Sequence, residues 1–299
     1  MKDSGSGPLL IALAAFLWGL DGILRRALGG LSPISIVLYE HLFGLVLLVP
    51  FFWRAARGEK LTWKEWTAVG IVGTVSSVLG TLWFTTALLM TQFISFSVVF
   101  LIQKLQPIFG MATARLVLGE RVHRRYFLWA AVALGASYFM TFPNGVNFAT
   151  GEGTALAALF ALGAAVAWGA TTALSRYALL NHNTTFITGF RFAIGAAFAF
   201  VLSFFLRPAQ PIPILTLTQG FYLLAIALST GMVALWIYYR GLKHTSALVS
   251  AILELTFPLT AIFIDILLYH TVLSWVQYAA AAVLVFAMTQ VTRRGEDTR

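Results

Sequence analysis

Cysteine is absent from the 299 residues, so neither a disulfide nor a thiolate metal site is available. Charge is scarce as well: Asp, Glu, Lys and Arg make up 10% of the chain, against about 25% in soluble globular proteins. The enzyme signatures HExxH, GxSxG, GxxxxGK[ST] and GxGxxG are missing. No low-complexity segment occurs, and the connections between apolar runs leave no room for a soluble domain. What is present is apolar: 59% of the residues are hydrophobic. That composition places the chain in lipid. The net charge of +9 does not indicate nucleic acid, because the basic residues cluster between apolar runs.

Apolar runs of about 20 residues mark membrane-spanning helices. Ten are expected, at 8–28, 33–53, 65–88, 93–117, 124–142, 154–176, 184–206, 218–240, 246–269 and 273–292. The run after Met1-Lys2 has no small-residue cleavage site and is read as a retained first span, not a signal peptide. With the N-terminus inside, the inner ends and loops carry fifteen Lys and Arg residues, among them Arg54, Arg57, Lys60, Arg124 and Arg125. The outer side carries three: Arg25, Arg26 and Arg207. The positive-inside rule then puts both termini in the cytoplasm. Asn183-Thr184-Thr185 matches a glycosylation sequon, but its loop falls on the cytoplasmic side and the match is discounted.

The chain repeats itself. Trp18-Gly19 recurs as Trp168-Gly169 and Arg26 as Arg176, both shifted by 150; Pro107 recurs as Pro258, shifted by 151, and Trp83 as Trp236, shifted by 153. Five spans per copy is an odd number, so the second copy enters the membrane upside down, a transporter signature with its site at the midplane junction. The expected fold is an all-α integral membrane protein of ten transmembrane helices, arranged as two inverted five-helix repeats, 1–145 and 146–299, around a central cavity.

Polar residues inside the spans point to that cavity. Lys104 lies mid-span beside Gln103 and Gln106; an ammonium there costs about 2.5–3.5 kcal/mol on insertion scales, so a functional or paired role is expected. Pro107 deprives the Gln103 carbonyl of its helical partner, and Pro258 does the same to Glu254. Bare backbone at membrane depth needs protein or water around it. Ser250, Glu254, Pro258, Ala261 and Asp265 fall on one helical stripe. One hypothesis is that Lys104 and Glu254 approach each other, or a bound substrate, across the pseudo-twofold axis; the plainer one is that each charge satisfies only a nearby backbone group or helix end. Asp21 and Arg25 stand at i,i+4 and are expected to pair. Glu40, Glu254 and Asp265 are possible proton carriers. Trp53, Trp63, Trp66, Trp129 and Trp275 sit at span ends, where interfacial belts form. Trp18, Trp83, Trp168 and Trp236 lie deeper, which suggests a packing or cavity role.

Phe16-Leu17-Trp18-Gly19, Leu105-Gln106-Pro107-Ile108-Phe109 followed by Leu118-Gly119-Glu120-Arg121, and the echoes Ala167-Trp168-Gly169 and Leu255-Thr256-Phe257-Pro258 resemble the EamA-type drug/metabolite transporter superfamily over essentially the whole chain. Within it the chain looks most like bacterial amino-acid exporters, including those for aromatic amino acids. The second half departs from the pattern, with Tyr269-His270-Thr271 where a Gly-Glu pair is expected. The resemblance implies inner-membrane export of amino acids or related metabolites and drugs by alternating access, without cofactor, metal or nucleic acid, by a monomer. It implies a cavity lined by Trp18, Trp83, Lys104, Gln106, Trp168, Tyr239 and Pro258. Residue chemistry adds Phe100, Gln103, Trp236 and Glu254, with Pro107 and Pro258 as hinges. Lys104 departs from the aromatic or neutral lining expected in the aromatic-exporter branch. A carrier of phosphorylated or nucleotide-linked anions, or a passive channel, is the alternative reading.

Overall fold

A computed structural model of the protein describes residues 6–90, 102–142, 144–145, 154–207, 211–270 and 272–295. Phe100 and the side chains of Arg26, Ala261 and Asp265 lie outside the described residues. The helices follow the apolar runs. They are α1 Ser6–Arg26, α2 Pro33–Ala55, α3 Trp63–Ile71, α4 Thr81–Leu89, α5 Gln106–Leu118, α6 Arg124–Thr141, α7 Thr154–Asn181, α8 Thr184–Leu206, α9 Leu217–Leu228, α10 Met232–His244, α11 Ala247–Leu253, α12 Thr256–Tyr269 and α13 Trp275–Gly295. A π-helical segment, Val72–Gly80, joins α3 to α4 without a break in the chain's course. Among the described residues seven continuous stretches are long and apolar enough to cross a membrane, with Trp63–Leu89 and Leu217–His244 counted as one each. The stretch around α11 and α12 is interrupted, and Ala247–Thr260 is a shorter apolar helix. Among the described residues the chain is a multi-pass helical membrane protein.

Start signals recur with the repeat. Thr62 and Glu65 form a capping box at α3, and Thr216 and Gln219 form another at α9, 154 residues later. Packing recurs too. Helix α1 lies against α10 and the α11–α12 pair, while α7 lies against the α3–α4 stretch and α5; α2 runs along α8, and α6 along α13. Exchanging the two copies maps this set of contacts onto itself, as a twofold relation between repeats requires.

The Trp-Gly pair has a structural reason in both copies. A Cβ on Gly19 would collide with the Thr260 side chain of α12, and one on Gly169 with the Gln106 carbonyl oxygen of α5. Each glycine lets a long helix close on the proline-bearing helix of the other repeat. Glu120, the acid of the Gly-Glu-Arg motif, has a structural role. Gly119 ends α5 in the left-handed region at φ 65°, and the Glu120 carboxylate then accepts from the backbone N–H groups of Ala247 and Leu248, each at 2.9 Å, and pairs with Arg176 at 2.8 Å.

A polar clasp joins the loops at the Lys- and Arg-rich end. His182, between α7 and α8, places Nδ1 2.5 Å from Glu59 and Nε2 3.1 Å from Glu65. Its carbonyl accepts from Lys243 at 2.7 Å, and Asn181 donates to Glu65 at 3.0 Å. Burial works against a charge on His182, but the hydrogen bonds and charges of Glu59 and Glu65 outweigh it and raise the imidazole above its ordinary value.

Two outcomes are expected from these contacts. Gly169→Ala should cost roughly 1–3 kcal/mol through overpacking and lower the melting temperature, while Gly220→Ala, with nothing within 4 Å, should leave it level or higher. A raised folded-state value for His182 means that the clasp contributes fully below the unfolded histidine pKa and fades as pH rises through the folded one. Melting temperature should therefore fall across that rise, and His182→Ala should flatten this part of the curve in a scan of pH.

Candidate functional site

Four departures from regular helix surround one cavity of about 200 Å³. Two are repeat-related interruptions at residues 104–105 and 254–255, just before α5 and α12. Pro107 and Pro258 fall in the first turns of the helices that follow, where a missing N–H is tolerated. The Glu254 carbonyl, expected to be bare, accepts instead from the Phe257 N–H at 3.1 Å. The other two are the π-helical segment and the break at residues 229–231; a shift of 153 carries Ser76-Ser77 onto Ser229-Thr230.

Each of these irregular segments is held by side chains from the opposite repeat. At the break before α10, Thr230 donates to Asp21 of α1 at 2.6 Å. Asp21 pairs with Arg25, as its i,i+4 spacing predicted, and Arg25 also reaches Glu40 of α2 at 2.7 Å and Thr85 of α4 at 3.2 Å. On the π-helical segment, the Trp168 indole N–H of α7 donates to the Ser76 carbonyl at 3.0 Å. Arg191 of α8 donates to Ser77 Oγ at 2.6 Å, Ser76 Oγ at 3.1 Å and the Tyr239 hydroxyl at 2.7 Å. Tyr239 in turn donates to Ser175 at 3.0 Å.

The interruptions before α5 and α12 meet directly. The Gln106 amide donates to one oxygen of the Glu254 carboxylate, and the Tyr238 hydroxyl donates to the other at 2.5 Å. Tyr238 packs on Trp18, with ring centroids 5.0 Å apart. Lys104 does not pair with Glu254: its Nζ donates to Ser137 Oγ at 3.0 Å, and both groups are engaged by side chains of other helices, not by a nearby backbone group or helix end. Gln103 donates to the Ala161 carbonyl at 3.3 Å.

Of the residues singled out from sequence, Trp18, Gln103, Lys104, Gln106, Pro107, Trp168, Glu254 and Pro258 line this cavity. Trp83, Trp236 and Tyr239 do not. Trp83 packs against Gly163 of α7. Trp236 donates to Thr185 at 3.0 Å and lies under the Arg240 guanidinium. Tyr239 stands one layer back, behind Arg191, and its neighbour Tyr238 takes the wall. Ser250, on the expected stripe, is buried outside the lining. Sequence reading missed the Arg25–Glu40 pair, the hydroxyls of Ser76, Ser77 and Thr230, and the rings of Phe84 and Phe192. A signal for the hydroxyls was present: Ser-Ser and Ser-Thr recur mid-span at the repeat offset.

The lining is therefore aromatic and hydroxylic, with three acids (Asp21, Glu40, Glu254) and three bases (Arg25, Lys104, Arg191). Their formal charges cancel. The described residues contain no group of three or more His, Cys, Asp or Glu side chains that could hold a metal.

Residues 5–142 and 155–293 match the family described as the EamA-like transporter family. A curated relative, the riboflavin transporter ImpX of Fusobacterium nucleatum subsp. nucleatum, is 32% identical over 297 residues, spanning 98% of this chain and 99% of its own. A solved crystal structure of a protein superposes with a TM-score of 0.75 at 19% identity, over 97% of this chain and 98% of that one, which speaks to the fold. The two matched stretches, the doubled capping boxes and the exchangeable helix contacts agree: the chain belongs to the EamA-like transporter family.

Proposed function

We propose that the protein is a secondary carrier for a neutral, planar aromatic solute bearing hydroxyl or imide groups, of which riboflavin is the type. One observation carries this reading: the packed ring pairs Trp18–Tyr238 and Phe84–Trp168, with Phe192 and Phe257, line a cavity that also presents amide and hydroxyl groups and whose formal charges cancel. Flat rings suit a stacked heterocycle. The Ser76, Ser77, Thr171 and Thr172 hydroxyls suit a polyol arm, and a charge-balanced wall favours a solute without net charge. The 32% identity to a riboflavin transporter supports the same solute class.

The remaining expectations belong to this proposal. The carrier works by alternating access, sits in the inner membrane with both termini in the cytoplasm, and functions as a monomer. Its halves rock about the cavity as in other inverted-repeat carriers. The interruptions before α5 and α12, together with the π-helical segment and the break before α10, are where the movement is taken up. A second reading, an aromatic amino acid, draws on the same balanced charge: Lys104 and Glu254 offer opposite signs to a zwitterion. A phosphorylated or nucleotide-linked anion fits the balanced wall less well. A passive pore would need a ring of like charges, which the lining lacks.

Counterflow of labelled riboflavin into proteoliposomes tests the proposal, with quenching of flavin fluorescence as the binding readout. Trp18→Ala should weaken binding about tenfold, or ~1.4 kcal/mol, while Trp236→Phe, outside the cavity, should leave it unchanged. Counterflow of phenylalanine or tryptophan in place of riboflavin would move the assignment to amino acids.

A further inference from the structure

Six carboxylates are described, and five of them have a basic side chain as partner while one does not. Asp21 and Glu40 share Arg25, Glu59 and Glu65 share His182, and Glu120 holds Arg176. Among the described residues, no cation lies within ion-pair distance of Glu254. Its oxygens take hydrogen bonds only from a neutral amide, Gln106, and a neutral hydroxyl, Tyr238, and the residue opens on the cavity.

An ionised carboxylate removed from water and given neutral donors alone is costly to keep, and taking up a proton relieves the cost. We propose that Glu254 is a proton-carrying site and that the protein exchanges one proton for each solute molecule. The assignment of the solute rests on the flavin reading; the assignment of the proton does not. Glu254 takes a proton from water on one side of the membrane, forming an O–H bond and a neutral acid. On the other side it returns that proton to water. Solute and proton exclude each other, because the N–H or O–H donors of a bound solute replace those of Gln106 and Tyr238 and require the ionised carboxylate.

The neighbouring groups leave this role to Glu254. From α10 it faces Tyr238, and Lys104, in the turn before α5, shares the cavity but is engaged with Ser137. From α1 and α2 come Asp21, Arg25 and Glu40, already joined in ion pairs, and His41, whose Nδ1 lies 2.8 Å from the Val37 carbonyl. Arg191 of α8 is held by hydroxyls. From α7, Arg176 is paired with Glu120, and from α6 Tyr126 donates to the Leu248 carbonyl at 2.7 Å. Packed against α11, α13 turns Gln277 toward the Met140 carbonyl of α6 at 3.3 Å and brings no acid or base to Glu254. The position is also mechanically apt. Glu254 is the first residue of the α11–α12 turn, and Gln106 opens α5, so the bond that a proton would weaken ties the two repeats at their interruptions.

Two measurements test this together. Purified protein is reconstituted with a pH-sensitive dye in the lumen, and riboflavin is added outside. The wild type should raise lumenal pH by one proton per flavin taken up, Glu254→Asp should keep that ratio at a lower rate, and Glu254→Gln should give a ratio of zero for whatever transport it retains. Infrared difference spectra of the solubilised protein between acid and alkaline pH need no solute: a protonated-carboxyl band should be present in the wild type and missing from Glu254→Gln. If riboflavin neither binds nor moves but the band is lost in Glu254→Gln, the flavin reading fails and the proton site stands. Net flavin uptake with no proton movement, or a band unchanged by Glu254→Gln, would overturn the proton site.

Discussion

A helix that stops being regular inside an apolar slab leaves backbone groups that lipid cannot satisfy, so the protein must satisfy them itself. The rest of this architecture follows from that constraint. The π-helical segment exposes the Ser76 carbonyl, and the Trp168 indole covers it. The break at residues 229–231 brings Thr230 to Asp21, and the interruption before α12 brings Glu254 to Gln106. The Ser76 carbonyl is covered by the other repeat; at the other two breaks the backbone closes on its own repeat, as Phe257 N–H does on the Glu254 carbonyl, while the side chain exposed there is engaged by the other repeat. Local defects in one copy thus become the contacts that hold the copies together, and the cavity is the space these contacts enclose.

The scaffold is symmetric but its chemistry is not. Exchange of the repeats carries Arg25 onto Ser175 and His41 onto Arg191 by the offset of 150. One end of the cavity therefore has a guanidinium bound by two carboxylates, and the other has a guanidinium bound by three hydroxyls. Truncating a buried Arg that serves two carboxylates leaves both unpaired, a loss of about 3–5 kcal/mol where such networks are broken. The Arg25 cluster is accordingly a fixed strut. Arg191, with neutral partners only, gives up less when a solute or a movement disturbs them.

Much of this was legible in the sequence, and the parts that were not share one physical cause. The doubled Trp-Gly and Pro landmarks gave the repeats because they mark close approaches and helix interruptions, which the chain cannot make without those residues. Asp21 and Arg25 were readable because i,i+4 is a local spacing. Glu40 as a second partner of Arg25 was not, since only the packing of α1 on α2 brings them together. Trp83 and Trp236 failed as cavity residues for a subtler reason. Depth and the repeat offset, which singled them out, fix height in the membrane but not the direction of a side chain; both follow irregular segments, where i→i+5 bonding or a broken turn shifts the helical phase. The same shift puts Tyr238 on the wall in place of Tyr239.

That phase shift also bears on how the carrier can move. Regular helices packed at native density resist gradual deformation and change arrangement in discrete steps. Segments already bonded i→i+5, or with a turn left open, have a nearby alternative in which the ladder closes and the faces beyond rotate. Closing the π-helical segment would withdraw the Ser76 carbonyl from Trp168 and turn α4 on its axis; closing the 229–231 break would withdraw Thr230 from Asp21 and turn α10, carrying Tyr238 away from Glu254. The prolines mark where α5 and α12 begin, but it is the segments before α4 and α10 whose bonding can change without breaking a covalently fixed φ. In the proposed mode of binding, a solute seated between Trp18 and Trp168 would touch the latch on one of these segments and the wall carried by the other, the differential contact that any ligand-driven change of state requires.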